Sequence, residues 1–201
     1  IEDLALPLSI IATDIGTGER VVLREGSLSK AMRASMSVPG LLAPVKIGEH
    51  TLVDGGLVDN VPIGEARSRC HPDLVIAVDV GTPLLAPEEV VSVLSVTAQM
   101  INILTNQNVV ASLASLQPRD VFIQPDLGDI TAGDFPRLDE AVERGRAAAE
   151  AAAERLRPLS VSAEQYAAWR SGLERPRPAA PLRIDEVQIA AMERVNPTAV
   201  Q

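Results

Sequence analysis

The stretch Leu52-Val53-Asp54-Gly55-Gly56-Leu57 combines the end of an apolar strand with a carboxylate and two glycines. A strand that stops at Asp54 places this carboxylate at the edge of a sheet, and the glycines let the backbone approach another group closely. Such a position suits a general base that takes a proton from a neighbouring hydroxyl. On composition alone, a tight turn between two strands is the simpler interpretation of Asp-Gly-Gly.

The segments around this turn predict alternating strands and helices, and therefore an α/β fold. Residues 74–81 form an uninterrupted β-branched run, which is typical of a buried parallel strand. The expected strands are residues 4–13, 20–24, 45–47, 51–53, 74–81 and 121–124. The expected helices are residues 30–36 with Ser27 or Ser29 as the cap, 62–69, a long and mostly buried helix from 87 to 116, and 134–156.

Three domain-level segments are predicted. Residues 1–160 form the main body, and residues 161–181 form a short helix and a linker with three prolines and two arginines between 174 and 181. Such a composition gives a stiff connection and marks a domain boundary. Residues 182–201 then begin a further domain, with alternating apolar residues typical of a strand.

The composition excludes several classes of function. The net charge is -9, with 18 Lys and Arg against 27 Asp and Glu, and few aromatic residues are present, which argues against nucleic-acid binding. Cys70 is the single cysteine and His50 and His71 are the only histidines, so neither a disulfide framework nor a zinc cluster is expected. Amide side chains interrupt the long apolar stretch from 90 to 116, so a membrane span is not expected there.

Asp54 would act as a base only if it is partly buried and lies within hydrogen-bond reach of a serine. No Gly-x-Ser-x-Gly nucleophile elbow occurs in the 201 residues. Ser35 lies inside a predicted helix, where packing or capping is the expected role. Asp79 ends a buried strand, where α/β folds place functional groups. Asp54 and Asp59 together give only weak support for a metal site, and both histidines are expected at the surface.

An ordered set of segments resembles the C-terminal half of the patatin-like phospholipases over about residues 1–160. The resemblance is carried by Ala12-Thr13-Asp14, Thr17-Gly18-Glu19, Ala31-Met32-Arg33-Ala34-Ser35-Met36-Ser37-Val38-Pro39-Gly40, Leu52-Val53-Asp54-Gly55-Gly56, Asn60-Val61-Pro62, Val75-Ile76-Ala77-Val78-Asp79-Val80, Asp120-Val121-Phe122-Ile123-Gln124-Pro125-Asp126-Leu127 and Asp134-Phe135. It implies a three-layer αβα fold with a largely parallel central sheet, whose N-terminal part is absent from this chain. It also implies hydrolysis of lipid acyl esters by a serine-aspartate dyad, without a metal or organic cofactor.

In this resemblance the dyad aspartate is Asp54, supported by Gly55 and Gly56, and the nucleophilic serine and oxyanion hole lie upstream of Ile1. The 201 residues alone are therefore predicted to hydrolyse nothing. The substrate would be a phospholipid or another lipid ester that enters from a membrane or micelle surface. The alternative is a non-catalytic patatin-like module that serves protein interaction or export.

The tail offers a second resemblance over about twenty residues. Leu182-Arg183-Ile184-Asp185-Glu186-Val187-Gln188-Ile189, followed by Arg194-Val195-Asn196-Pro197, resembles the start of a polypeptide-transport-associated (POTRA) domain. It implies a type V secretion passenger with its own outer-membrane barrel as a partner. The implied location is the Gram-negative outer membrane, the cell surface or the medium, and otherwise the cytoplasm. An unrelated hairpin that packs on the body is the other interpretation.

Overall fold

The computed structural model describes residues 1–131 and 133–173. By its contacts the chain divides into two compact units, Ile1–Val161 and Ser162–Gln201, and helix α7 (Ala163–Leu173) is the described part of the second unit. The division falls next to the predicted domain end at residue 160, but the domain assignments stay predictions. Residues 174–181 of the predicted linker and the segment 182–201 lie outside the described residues.

Four antiparallel strands form the first sheet, in the order β2-β1-β4-β3. They are β1 (Ile10–Asp14), β2 (Arg20–Leu23), β3 (Val45–Ile47) and β4 (His50–Asp54). Strands β1 and β4 lie side by side, with Ala12 opposite Asp54. The register therefore places the end of β4 against the middle of β1.

Two parallel strands, β5 (Ile76–Val78) and β6 (Val121–Ile123), form the second sheet. The connection between them contains the 21-residue helix α4 (Val93–Leu113). A crossover of this kind is what two parallel neighbours require, because a short hairpin can join only antiparallel strands.

The remaining helices of the first unit are short, apart from α5. They are α1 (Leu28–Ser35), α2 (Gly56–Asp59), α3 (Ile63–Cys70), α5 (Leu138–Ala151) and α6 (Ala153–Leu156). Ser27 begins α1, and its hydroxyl accepts the N–H of Lys30 at 3.3 Å, so the first of the two predicted caps is confirmed.

Two groups of buried apolar residues fix the position of β4 and its continuation. Ala12, Ala34 and Leu52 pack together where α1 covers β1 and β4. A second cluster packs α3 and α4 on β5, and it contains Val61, Ile63, Val75, Ala77 and Val109. The turn at Asp54 therefore lies in the chain between two separate cores.

The α/β class is confirmed, but the expected largely parallel pairing is found only in β5 and β6 among the described strands. Short turns join β1 to β2 and β3 to β4, which gives antiparallel neighbours, and β4 also pairs with β1 in the antiparallel direction. The strand predicted for residues 4–13 is limited to Ile10–Asp14. Leu4, Leu6 and Leu8 are exposed, and Pro7 lacks the N–H that a ladder hydrogen bond needs.

The prediction of one long, mostly buried helix from residue 87 is wrong. Pro87–Glu89 forms a separate 3-10 turn, and Ser92 caps α4 by accepting the N–H of Ser95 at 3.1 Å. Val109 is its only buried residue, and Val93 is 86% exposed. In the described ranges, no helix is both long and apolar enough to cross a bilayer.

The helix predicted for residues 134–156 is interrupted. Phe135–Arg137 forms a 3-10 turn before α5, and a break at Ala152 separates α5 from α6. The N–H of Ala152 is shared between the carbonyl oxygens of Ala148 and Ala149, a tightening that is common at helix ends.

Glu65 of α3 is a buried carboxylate that ties three elements of this body together. Its side chain accepts hydrogen bonds from both Arg24 Nε at 3.0 Å and Arg24 NH2 at 2.9 Å, and from Ser9 Oγ at 2.6 Å. The hydrogen bonds from Arg24 lower the pKa of Glu65. Because the folded pKa is depressed, this stabilisation is present above the unfolded pKa and is lost as the pH falls through the folded pKa.

We expect Arg24→Met to reduce the free energy of unfolding at neutral pH, because the carboxylate of Glu65, which is 4% exposed in the fold, loses both hydrogen bonds from its cation. Urea denaturation followed by circular dichroism measures the change. The matched control is Arg146→Met, whose partner Glu143 lies 3.5 Å away on an exposed helix face and which should change little. Equal changes in the two variants, or a loss for Arg24→Met that is undiminished in acid, would contradict the assignment.

Candidate active site

Asp54 is the last residue of β4, and the chain passes from it through Gly55 directly into the short helix α2. Its backbone N–H donates to the carbonyl oxygen of Ser37 at 3.0 Å. Its own carbonyl oxygen accepts the hydroxyl of Thr13 at 2.7 Å. The backbone that carries the carboxylate is thus held on one side by the loop after α1 and on the other by β1.

Positions 55 and 56 need glycine because neighbouring atoms leave no room for a side chain, and not because the backbone has a positive φ angle. A Cβ atom on Gly55 would lie 2.2 Å from the carbonyl oxygen of Ile11, so the backbone of β1 occupies the place of any side chain. A Cβ atom on Gly56 would lie 2.8 Å from Asn60 Oδ1 and 3.0 Å from Asp54 Oδ1. The close backbone approach allowed by glycine is therefore present at the turn.

The Asp54 carboxylate lines a cleft of about 520 Å³. The N–H of Gly56 donates to its Oδ1 atom at 2.7 Å, which fixes the orientation of the side chain. The apolar residues around it come from the first strand, from helix α1 and its end, and from the segment after α2. They are Ile10, Ile11, Met32, Met36 and Pro62.

Burial raises the pKa of Asp54, and the hydrogen bond from Gly56 offsets part of that effect. Loss of water contact disfavours the charged carboxylate, whereas a backbone N–H favours it. Asp59 is the other ionisable side chain of the cleft lining, and Arg20 NH1 lies 2.5 Å from its Oδ2 atom. Asp54 is accordingly a stronger base than an ordinary aspartate, and the carboxylate of Asp59 in the same cleft forms an ion pair with Arg20.

Ser35 lies in the same cleft, at the last position of α1. Its carbonyl oxygen accepts the N–H of Gly55 at 3.3 Å, so it contacts the aspartate turn through the backbone. Among the described residues, the Ser35 hydroxyl makes no hydrogen bond to Asp54. Ser35 therefore lies beside the aspartate turn, and its packing or capping role stays a prediction.

Asp79 follows β5 and lines a different cavity, of about 470 Å³. It is 7% exposed, and its carboxylate accepts the N–H of Gly81 at 2.9 Å and Nε2 of Gln124 at 3.3 Å. Its turn therefore has the same Asp-x-Gly hydrogen bond as Asp54. The structure does not bring the two carboxylates into one cleft.

The two histidines lie apart from Asp54. His50 is half exposed, and its Nδ1 atom lies 2.6 Å from Asp14 Oδ2, a hydrogen bond that lowers the pKa of Asp14. His71 is exposed and ends α3 in a left-handed conformation, with φ at 46°. Within residues 1–131 and 133–173, no group of three or more His, Cys, Asp or Glu side chains could hold a metal ion.

Asn108 of α4 is a residue whose contact with the site the sequence did not predict. Its Nδ2 atom donates to the carbonyl oxygen of Gly56 at 2.7 Å, and its Oδ1 atom accepts the N–H of Asn60 at 2.9 Å. In the sequence it appears only as one of the amides that interrupt an apolar helix. That polar position was the available signal, but nothing local indicates its partner.

A carboxylate at a strand end beside a partly apolar cleft is a common site arrangement in α/β enzymes. Residues 4–67, which include Asp54, Gly55 and Gly56, match the family described as patatin-like phospholipase. An uncharacterized NTE family protein of Mycobacterium tuberculosis is 34% identical over 175 residues, and the match covers 76% of this chain and 30% of that protein.

Two further relatives match shorter stretches. Another uncharacterized NTE family protein of Mycobacterium tuberculosis is 38% identical over 78 residues, which are 39% of this chain and 21% of that protein. Patatin-like phospholipase domain-containing protein 7 of Mus musculus is 46% identical over 85 residues, which are 41% of this chain and 6% of that protein.

The chain belongs to the patatin-like phospholipase family. Its mixed α/β architecture is that of a fragment of the patatin-like αβα fold. It spans 30% or less of the length of these relatives. None of the matches bears on type V secretion or on a transport-associated domain, which stay predictions.

Proposed function

We propose that this chain supplies the general base of a patatin-like lipid acyl hydrolase, and that the base is Asp54. The observation that carries the proposal is the setting of its carboxylate: at the end of β4, oriented by the N–H of Gly56, with a raised pKa, and lining a cleft with apolar walls. In the proposal, the serine nucleophile and the oxyanion hole lie upstream of Ile1.

The chemistry assigned to Asp54 is proton transfer in both halves of the reaction. As the serine oxygen attacks the ester carbonyl carbon, its proton passes to the carboxylate, which then protonates the departing alcohol. The acyl group stays on the serine. In the second half, Asp54 takes a proton from the attacking water and returns it to the serine oxygen as the acid leaves. The raised pKa supports this role, because a stronger base accepts the proton more readily.

The substrate class follows from the family and from the cleft walls. Ile10, Ile11, Met32 and Met36 offer apolar contact for an acyl chain next to the carboxylate. We propose a phospholipid or another lipid ester as substrate, taken from a membrane or micelle surface. The mechanism assigned here uses neither a metal nor an organic cofactor.

Hydrolysis of phospholipid and short-chain esters by the full-length parent protein tests the proposal, with wild type compared against Asp54→Asn. Loss of turnover in a folded variant supports the dyad. Equal rates would remove Asp54 from the chemistry.

The 201-residue chain by itself is expected to hydrolyse no ester, because it contains no Gly-x-Ser-x-Gly elbow to supply the nucleophile. The measurement is release of nitrophenol from short-chain esters by the purified chain, with the full-length parent as the positive control. Turnover by the chain that disappears in its Asp54→Asn variant would show that a nucleophile lies within these residues.

A non-catalytic interaction or export module is the competing proposal. Its weakness is that a half-buried carboxylate with a raised pKa destabilises a fold, and a module without chemistry has no need of it. Export by type V secretion is a separate proposal that rests on residues 182–201, outside the described residues. Cell fractionation of the parent protein tests it.

A further inference from the structure

We infer that Asn108 is a positioning residue for Asp54: its carboxamide holds the backbone of the turn whose N–H orients the Asp54 carboxylate. The inference rests on the proposed role of Asp54 as a general base, and it assigns to helix α4 a part in the site. Asn108 does not line the cleft and makes no hydrogen bond to the Asp54 side chain, but it hydrogen-bonds two residues that do line the cleft, Gly56 and Asn60.

The carboxamide of Asn108 binds both ends of α2. Nδ2 donates to the carbonyl oxygen of Gly56, the first residue of the helix, and Oδ1 accepts the N–H of Asn60, the residue after its end. A four-residue helix has too few internal hydrogen bonds to hold its own geometry. Contacts from other elements must therefore hold α2, and the two hydrogen bonds of Asn108 act on its two ends.

The bonds to Asn108 reach Asp54 through one glycine. Gly56 donates its N–H to Asp54 Oδ1 at 2.7 Å and its carbonyl oxygen accepts from Asn108 at 2.7 Å, so both of its peptide groups are engaged. Glycine has the freest backbone of all residues. With its carbonyl group released, the Gly56 N–H would no longer be held towards the carboxylate.

Helix α4 is itself packed in the core next to Asn108. Val109, the next residue, is the buried residue of α4 and packs in the core with Val61 and Ile63. One turn further along, the hydroxyl of Ser112 donates to Asp59 Oδ1 at 3.3 Å, a second polar contact from α4 to α2. Asparagine is suited to the task because its amide is donor and acceptor at once.

Few charged groups lie around Asp54, so a change in its pKa can be attributed to the lost hydrogen bond from Gly56. Asp59 of α2, paired with Arg20, is the one other ionisable group of the cleft lining, and α4 carries no charged residue. From the first strand and α1, the cleft is lined by uncharged side chains. These are Ser9, Ile10, Ile11, Met32 and Ser35.

The experiment compares Asn108→Leu with Asn106→Leu in the full-length parent protein. Asn106 lies on the same helix, is exposed and makes no side-chain hydrogen bond among the described residues, so its replacement is the matched control. For Asn108→Leu we expect kcat to fall about tenfold to a hundredfold, as for a displaced catalytic group, with KM little changed. We expect the control to match wild type.

The pH profile separates positioning from a merely structural effect. The Gly56 N–H favours the ionised form of Asp54, so its loss raises the pKa of that carboxyl further. The acid limb of kcat/KM should then move to higher pH in Asn108→Leu. A variant that only unfolds more easily would have a lower kcat/KM at every pH, and the pH of its acid limb would stay that of the wild type.

Hydrogen–deuterium exchange gives a readout that does not depend on activity. Backbone amides of residues 55–60 should exchange faster in Asn108→Leu than in Asn106→Leu or wild type. If Asn108→Leu does not fold, Asn108→Ala takes its place. Unchanged exchange, or faster exchange with an unmoved acid limb, would overturn the inference. Full activity of Asp54→Asn would instead overturn the general-base role. The hydrogen–deuterium exchange of residues 55–60 would still show whether Asn108 holds the turn.

Discussion

Asp54→Asn should lower kcat of the full-length protein by roughly 10²–10⁴-fold, the usual contribution of a general base. The amide keeps the shape of the side chain, and its oxygen can still accept the N–H of Gly56, so the turn is expected to stay in place. What disappears is the ability to take a proton at neutral pH. Initial rates on phospholipid vesicles and on a short-chain ester measure the effect.

The matched control is Asp79→Asn. Asp79 is a buried carboxylate at a strand end, and it accepts the N–H of Gly81 as Asp54 accepts that of Gly56. It lines a different cavity, so the same chemical change there should leave kcat within a fewfold of wild type. Equal losses in the two variants, with both folded, would show that the effect comes from a damaged turn and not from the base.

The pH dependence of the wild-type enzyme follows from the same carboxylate. Only ionised Asp54 can accept the serine proton, and burial raises its pKa above the ordinary value of about 3.9. The rate should therefore fall with decreasing pH through this raised pKa, and be fully developed above it. The residual activity of Asp54→Asn should lack this acid limb. A wild-type limb at the ordinary aspartate pKa would contradict the burial effect.

The position of Asp54 was predictable because it depends on local rules. An apolar hairpin strand that stops at an aspartate followed by glycines fixes a strand end, and β4 indeed ends at Asp54. The same holds for Ser27, whose short polar side chain caps α1. Both features are set by residues within a few positions along the chain.

Features set by distant residues were not predictable in this way. The contact of Asn108 with Gly56 spans 52 positions, and nothing near either residue indicates it. The burial of α4 was overestimated because apolar composition reports what a helix can bury, whereas its neighbours decide what is covered. Residues 4–9 do not continue the strand for a local reason, because Pro7 lacks the N–H that a ladder hydrogen bond needs.

Gly55→Ala should be the most damaging single-methyl change in this part of the chain. Its Cβ would lie 2.2 Å from the oxygen and 2.5 Å from the carbon of the Ile11 carbonyl, and these are backbone atoms of β1 that cannot rotate away. Overpacking of this kind costs about 1–3 kcal/mol, and the turn must shift to relieve it. Because that shift moves Asp54, we expect kcat to fall roughly a hundredfold as well, measured with ester hydrolysis and urea denaturation.

Gly145→Ala is the control, since it adds the same methyl group where nothing lies within 4 Å. Gly145 is in the interior of α5, and alanine is there the better helix former by roughly 0.5–1 kcal/mol. The two substitutions should therefore change stability in opposite directions, and only the one at position 55 should affect turnover. If Gly55→Ala were as stable and as active as wild type, β1 and the aspartate turn would have room to separate. Close contact between Gly55 and β1 would then not be what fixes the position of the Asp54 carboxylate.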